Sequence, residues 1–295
     1  MTIALQLQLG EPVNHRGITI VPAFPLRNPR AEYVTLEEAL PRGFRIDEVS
    51  DAGAVPELVV RNPLDERVLL YDGEELIGAK QNRILNVSVL VEAGARTPIP
   101  VSCVEAGRWH RSSTTFAAAD HTAGPEVRLR KAMALAPNAL ARGAAQSDVW
   151  DAIAEKSERL GVDSPTAAHA DLFEARGDVM RELSDAFALQ PGQCGMALVL
   201  PAGRACLDYL SRPEAFARHH RKLLHGYLLD AIEQLDRPAA EAVRANVLVA
   251  AASCAVATRQ PSAALGSDLR IKAAGVMASG LELDGEVLQL SAYAA

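Results

Sequence analysis

Aromatic residues are only 4% of this chain, cysteines number four, and no apolar run approaches the ~18 residues that a membrane helix needs. Each shortage excludes something. Cys103, Cys194, Cys206 and Cys254 stand far apart with no C-x-x-C pair, so their spacing builds neither a zinc knuckle nor a redox pair. Thiols in such an arrangement are expected to stay reduced, and the expected location is the cytoplasm. The start, "MTIALQLQLG", lacks a basic n-region and alternates like a strand, not a signal peptide. "VLVAAASCAVA" is short and small-residued and reads as a buried element. The formal net charge of -7 gives no basic surface for bulk nucleic-acid binding. G-x-S-x-G, H-E-x-x-H and G-x-G-x-x-G are all missing, which removes the commonest hydrolase and dehydrogenase readings.

What is present is an ordinary globular composition, 49% hydrophobic and 23% charged over 295 residues. Residues 1–115 read mostly as strands and turns. "RVLLYDGEELIG" has Asp72-Gly73 between strand-like arms, a hairpin signal, and "ILNVSVLVEAGARTPIPVSCVE" reads as a second hairpin around Gly94. Residues 116–260 are helix-rich. Ser147 is the expected N-cap of a helix stopped by Gly161, Arg176 to Leu189 reads as another, and Ser211 as the N-cap of a third. Strands are expected around the Pro201-Ala202-Gly203 turn. Residues 261–295 return to strands, with Asp284-Gly285 as a hairpin turn. Without βαβ alternation the prediction is an α+β fold. Its N-terminal sheet is mostly antiparallel and the tail strands return to it, in a single integrated domain over 1–295.

Candidate chemistry concentrates in "YDGEELIGAKQNR". Gly73, Gly78 and Lys80 imitate a phosphate loop, but Ala79 intervenes and Gln81 stands where a magnesium-binding hydroxyl is needed. Glu74 and Glu75 alternate on a strand, so they cannot both face one site. Lys80 and Arg83 attract an anion, and Gln81 and Asn82 offer donors and acceptors. The next strand ends in "CVEAGRWH", with Cys103, Glu105, Arg108 and Trp109. Pairing around Gly94 is expected to bring Lys80–Arg83 against Glu105–Trp109 at one sheet end, either as a site or as an ion-pair network. His219 and His220 have no partner at metal spacing, and the spacing gives no metal-ligand set.

"DGEELIGAKQNRILNVSVLV" followed by "IPVSCVEAGRW" resembles a family of domains named for its association with ADP-ribosylglycohydrolases and rhodanese-phosphatases. The likeness continues through Gln146, Val149-Trp150, "KLLHGYLLDA" from Lys222, "GSDLRI" from Gly266 and "DGEVLQL". Gln289 stands where the family pattern expects histidine, and His225 where it expects arginine or serine. The resemblance adds Lys222 and Arg270 to the site and names no cofactor. It implies a small anionic ligand of the ADP-ribose or NAD-derived nucleotide type. Lys80, Arg83 and Arg108 would hold its diphosphate, Glu74 or Glu105 would accept from ribose hydroxyls or act as general base, and Trp109 would stack on adenine. The competing expectation is an interaction or scaffold protein whose polar cluster fixes a strand register.

Overall fold

Asp284 and Gly285 take φ of 49° and 77°, the left-handed pair that a two-residue hairpin turn demands. The turn folds Val276–Leu283 back on Glu286–Ala294, with Leu283 opposite Glu286. The second of these strands pairs with Ala205–Leu210, which pairs with Gly195–Val199, which pairs with the N-terminal strand Ile18–Pro25. Tail, centre and N-terminus thus share one nine-stranded antiparallel sheet. This computed structural model describes residues 3, 5–50, 52–201, 203–273 and 275–294. Ordered pairing in the first segment begins at Leu7, and Met1, Thr2 and Ala4 of the expected N-terminal strand lie outside the described residues. So does Ala202 of the expected turn.

Period-two alternation gives this sheet two apolar faces. Ile20, Met196, Leu198 and Cys206 pack with Leu223 and Tyr227 of the long helix Pro213–Ala231. Their neighbours Val21, Ala197, Val199 and Leu207 pack with Ala245, Leu248 and Ala252 of the helix Val243–Cys254. "VLVAAASCAVA" therefore lends one face to the core, while Val243 and Val247 stay exposed. No described helix is long and apolar enough to cross a membrane.

A six-stranded antiparallel sheet runs Phe116–Thr122, Glu74–Gly78, Arg83–Leu85, Arg96–Cys103, Glu57–Arg61, Arg45–Glu48. A small third sheet holds Val89–Val91, Val68–Leu70 and Val34–Thr35, the last pair parallel. The fold is α+β, and five expectations of local structure are corrected. Asp72-Gly73 does turn the chain, with Gly73 at φ 81°, but its two arms enter different sheets. The reason is burial: a Cβ on Gly73 would lie 2.3 Å from Arg128 Cδ, and Asp72 is held by Lys131. The run around Gly94 pairs only at its ends, Arg83–Leu85 with Val101–Cys103, because Val89–Val91 leaves to pair with Val68–Leu70. The helix after Ala145 begins at Gln146, not after a Ser147 cap, and ends as expected at left-handed Gly161. Arg212, not Ser211, caps the long helix, and the Ser211 hydroxyl bonds Tyr33 instead. The helix expected over Arg176 to Leu189 is shorter, Gly177–Ser184.

Candidate functional site

Arg83 pairs with Cys103 across the sheet, Ile84 with Ser102 and Leu85 with Val101. Beyond the last ladder pair the strands stay together: Val104 N–H donates to the Asn82 carbonyl at 3.1 Å, and Gln81 Nε2 to the Glu105 carbonyl at 2.9 Å. The Gln146 amide clamps Cys103 from the other side, accepting from its N–H at 2.8 Å and donating to its carbonyl at 2.9 Å. The two polar runs therefore meet, held by this register, with Val89–Val91 leaving the ladder between them.

Their charges divide into two kinds. Arg108 is spent within the protein. It grips Glu105 bidentately (Nε–Oε1 2.8 Å, Nη2–Oε2 2.6 Å), and its Nη1 donates to Ala79 O, His110 O and Ser112 Oγ. Glu105 also accepts from Asn82 N–H and Thr166 Oγ1. Burial opposes its charge, but these donors outweigh burial and hold its carboxyl below the usual range, so it is a weak base near neutrality. The pair pins the exposed segment 106–115, with Gly107 N–H on Thr166 O and Ser112 N–H on Ala79 O.

Arg83 is the other kind. It is 0% exposed, its Nη1 donates to Gln81 Oε1 at 3.0 Å and Asn82 O at 3.3 Å, and its Nε and Nη2 have no hydrogen-bond partner among the described residues. No carboxylate pairs with it among the described residues, and burial pushes its pKa down from the ordinary arginine value. Trp109, 48% exposed, covers it with the ring centre 5.8 Å from the guanidinium carbon. Lys80 Nζ stands 5.3 Å from the same ring and donates to Ala52 O at 2.5 Å. Cys103 is fully buried and its thiol is pushed up by burial, which makes it an inert lining group, not a nucleophile.

The two glutamates point to different surroundings, as strand alternation requires. Glu74 joins Glu37, His219 and Lys222, whose ammonium bonds both carboxylates. Burial opposes the Glu74 charge, but Lys222 and His219 win and keep it well below the ordinary carboxylate range. A cation already sits there as Lys222, so these acids have no need of a metal. Glu75 Oε2 instead accepts from His169 Nδ1 at 2.7 Å and His121 Nε2 at 3.1 Å, all three residues buried. The sequence reading missed both histidines. His121 could have been noticed as "DH" within an alanine-rich strand, whereas His169 carries no local signal. Arg270 lies apart from these groups, bidentate on Asp268 at 2.6 and 3.0 Å.

These residues fall within one continuous likeness. A family model described as the ARG and Rhodanese-Phosphatase-superfamily-associated Protein domain matches residues 6–293. The chain belongs to that family. No curated protein and no solved structure matches it. Gln289 and His225, the two positions at which the resemblance leads one to expect other residues, are accommodated locally. Gln289 accepts from Ser88 Oγ at 2.9 Å and donates to Ser291 Oγ at 2.8 Å, inside the polar core between the sheets. His225 Nδ1 lies 3.1 Å from the Asp120 carbonyl, and its Nε2 has no hydrogen-bond partner among the described residues.

Proposed function

We propose that this member of the family binds a phosphorylated nucleotide of the ADP-ribose or NAD-derived type, with a phosphate on Arg83 and the base against Trp109. One observation carries the reading: a fully buried guanidinium with Nε and Nη2 unpartnered beneath an exposed tryptophan. A buried cation without a carboxylate is costly, and two parallel N–H donors match an anionic oxygen pair. Trp109 and Lys80 sit where an aromatic base and a second phosphate charge would be met. A groove of about 420 Å³, lined by Ala106, Trp150, Ile153, Ser157, Ala168 and Leu172, lies alongside. It touches the site through Ala168, which bridges to Glu105, and through Trp150, which approaches the Cys103 sulfur. Its size is within the range of small-ligand sites. Ligand entry would require Trp109 to lift with the segment 106–115. Binding is the function proposed, because the cations beside Glu74 and Glu105 lower the basicity of both carboxylates and make them poor general bases. The four free thiols fit a reducing cytoplasm.

A scaffold reading is favoured for the remaining cations: Arg108, Lys222 and Arg270 are each satisfied by acids of the chain. Calorimetry with ADP-ribose, NAD and nucleotide phosphates separates the two readings. Heat and thermal stabilisation are expected with the wild type, and Arg83→Met and Trp109→Ala should each weaken binding by about 1–3 kcal/mol. Silence at millimolar ligand, or binding that both variants leave untouched, rejects the nucleotide site.

A further inference from the structure

Glu75, His121 and His169 come from three separate elements: the strand Glu74–Gly78, the strand Phe116–Thr122 and the first residue of the helix His169–Ala175. Nothing local forces them together. His169 is placed by its own N–H on the Val104 carbonyl at 2.8 Å, and His121 by a register shift between Ala118 and Thr122 that opposes Glu75. We propose that these three side chains form a binding site for a divalent transition metal of the zinc class, through Glu75 Oε2, His121 Nε2 and His169 Nδ1.

The geometry supports this in three ways. The ligand atoms lie within 4.8 Å of one another, with Oε2 at 2.7 and 3.1 Å from the two nitrogens. Bonds of about 2.0–2.1 Å in a tetrahedron place ligand atoms roughly 3.3 Å apart, so a small outward movement admits the ion. Second, His121 Nδ1 stands 3.2 Å from Asp120 Oδ1. A carboxylate behind an imidazole fixes the tautomer that turns Nε2 toward the centre, the usual support of a metal-bound histidine. Third, Glu75 Oε1 is buried and has no hydrogen-bond partner among the described residues. It supplies a further donor to the ion or faces a water in the open position, as two histidines and one glutamate do at zinc sites that keep one position free.

The surroundings fit a bound ion. Phe173 stacks on His121 with centroids 3.7 Å apart and meets His169 edge-on at 5.0 Å, which fixes both rings. Asp120 is 87% exposed at its side chain and marks the path by which an ion would enter. A divalent ion with ionised Glu75 and two neutral imidazoles leaves one positive charge, which the carboxylate of Asp120 behind His121 offsets from the surface. The Glu37–Glu74–His219 group differs, since Lys222 already bonds its carboxylates.

Metal analysis of the protein as purified, followed by titration of chelator-treated protein with Zn²⁺ and Co²⁺, tests the site. One ion per chain is expected, with the visible absorption of four-coordinate cobalt, and Glu75→Gln, His121→Ala and His169→Ala should each abolish both. Because those buried substitutions can disturb folding, Asp120→Asn provides the surface test and should weaken Zn²⁺ about 10–100-fold with the fold intact by circular dichroism. Arg83→Met should bind the ion as wild type does, so failure here and failure of the nucleotide reading are separable. A wild-type protein that takes up no stoichiometric ion, or uptake unchanged in folded Asp120→Asn and His121→Ala, overturns the proposal.

Discussion

Replacing Arg83 with methionine should leave the protein as stable as before, although it removes a fully buried charge. The substitution removes two hydrogen bonds from Nη1, to Gln81 and Asn82, each worth about 1.5–3 kcal/mol when the donor is charged. It also ends the burial of an unpaired guanidinium, which costs several kcal/mol, and of two unsatisfied N–H groups at about 1–3 kcal/mol each. The opposing effects are of similar size, so unfolding free energy should stay within about 1 kcal/mol of wild type or rise. Arg128→Met is the control. Arg128 is equally buried but bonds Asp208 bidentately at 2.8 and 2.5 Å, and removing it strands a carboxylate that Tyr71 and Ser291 alone would serve. That loss should be about 3–5 kcal/mol. Urea unfolding followed by circular dichroism, in buffer free of phosphate and sulfate, measures both. Added pyrophosphate should then stabilise the wild type, by about 2.7 kcal/mol at a hundredfold excess over its dissociation constant, and stabilise Arg83→Met by about 1 kcal/mol less or more weakly still. If Arg83→Met loses as much as Arg128→Met, the guanidinium is a structural cation and the reasoning fails.

Other outcomes follow from the same contacts. His220 is buried with no counter-charge among the described residues, and burial lowers its pKa to about 4. The folded state therefore resists protonation: its contribution is intact above about pH 6.5 and is lost as pH falls toward 4, in total about 3 kcal/mol. His220→Gln should flatten that part of the stability-against-pH curve, and an unchanged slope would refute it. Gly73→Ala should destabilise by about 2 kcal/mol or more, since it combines a φ of 81° with a Cβ 2.3 Å from Arg128, and a loss near zero by urea titration would contradict the packing. In the native protein a thiol reagent should modify Cys254 alone and reach Cys103, Cys194 and Cys206 only after denaturation; fast labelling of Cys103 would show that its strand opens.

Much of this protein was legible in its sequence, and the pattern of success has a physical cause. Period-two alternation and the Asp284-Gly285 turn are local properties, so the tail hairpin and the α+β class could be read directly. The meeting of Lys80–Arg83 with Glu105–Trp109 was readable because both runs lie about equally far from Gly94, near which the ladder of Arg83–Leu85 with Val101–Cys103 is centred. The partners of those strands were not readable. Val68–Leu70 and Glu74–Gly78 look like one hairpin, yet the choice of separate sheets depends on Lys131 and Arg128, more than fifty residues away, reaching Asp72 and the space above Gly73. The state of each charge was decided by tertiary structure alone. Sequence lists Arg83, Arg108, Lys222 and Arg270 as equivalent cations, but a long-range contact such as Glu37 on Lys222, or its lack at Arg83, makes one a strut and the other an open donor. The Glu75–His121–His169 cluster is the same case, because residues 46 and 94 positions from Glu75 acquire a common centre only when three elements pack.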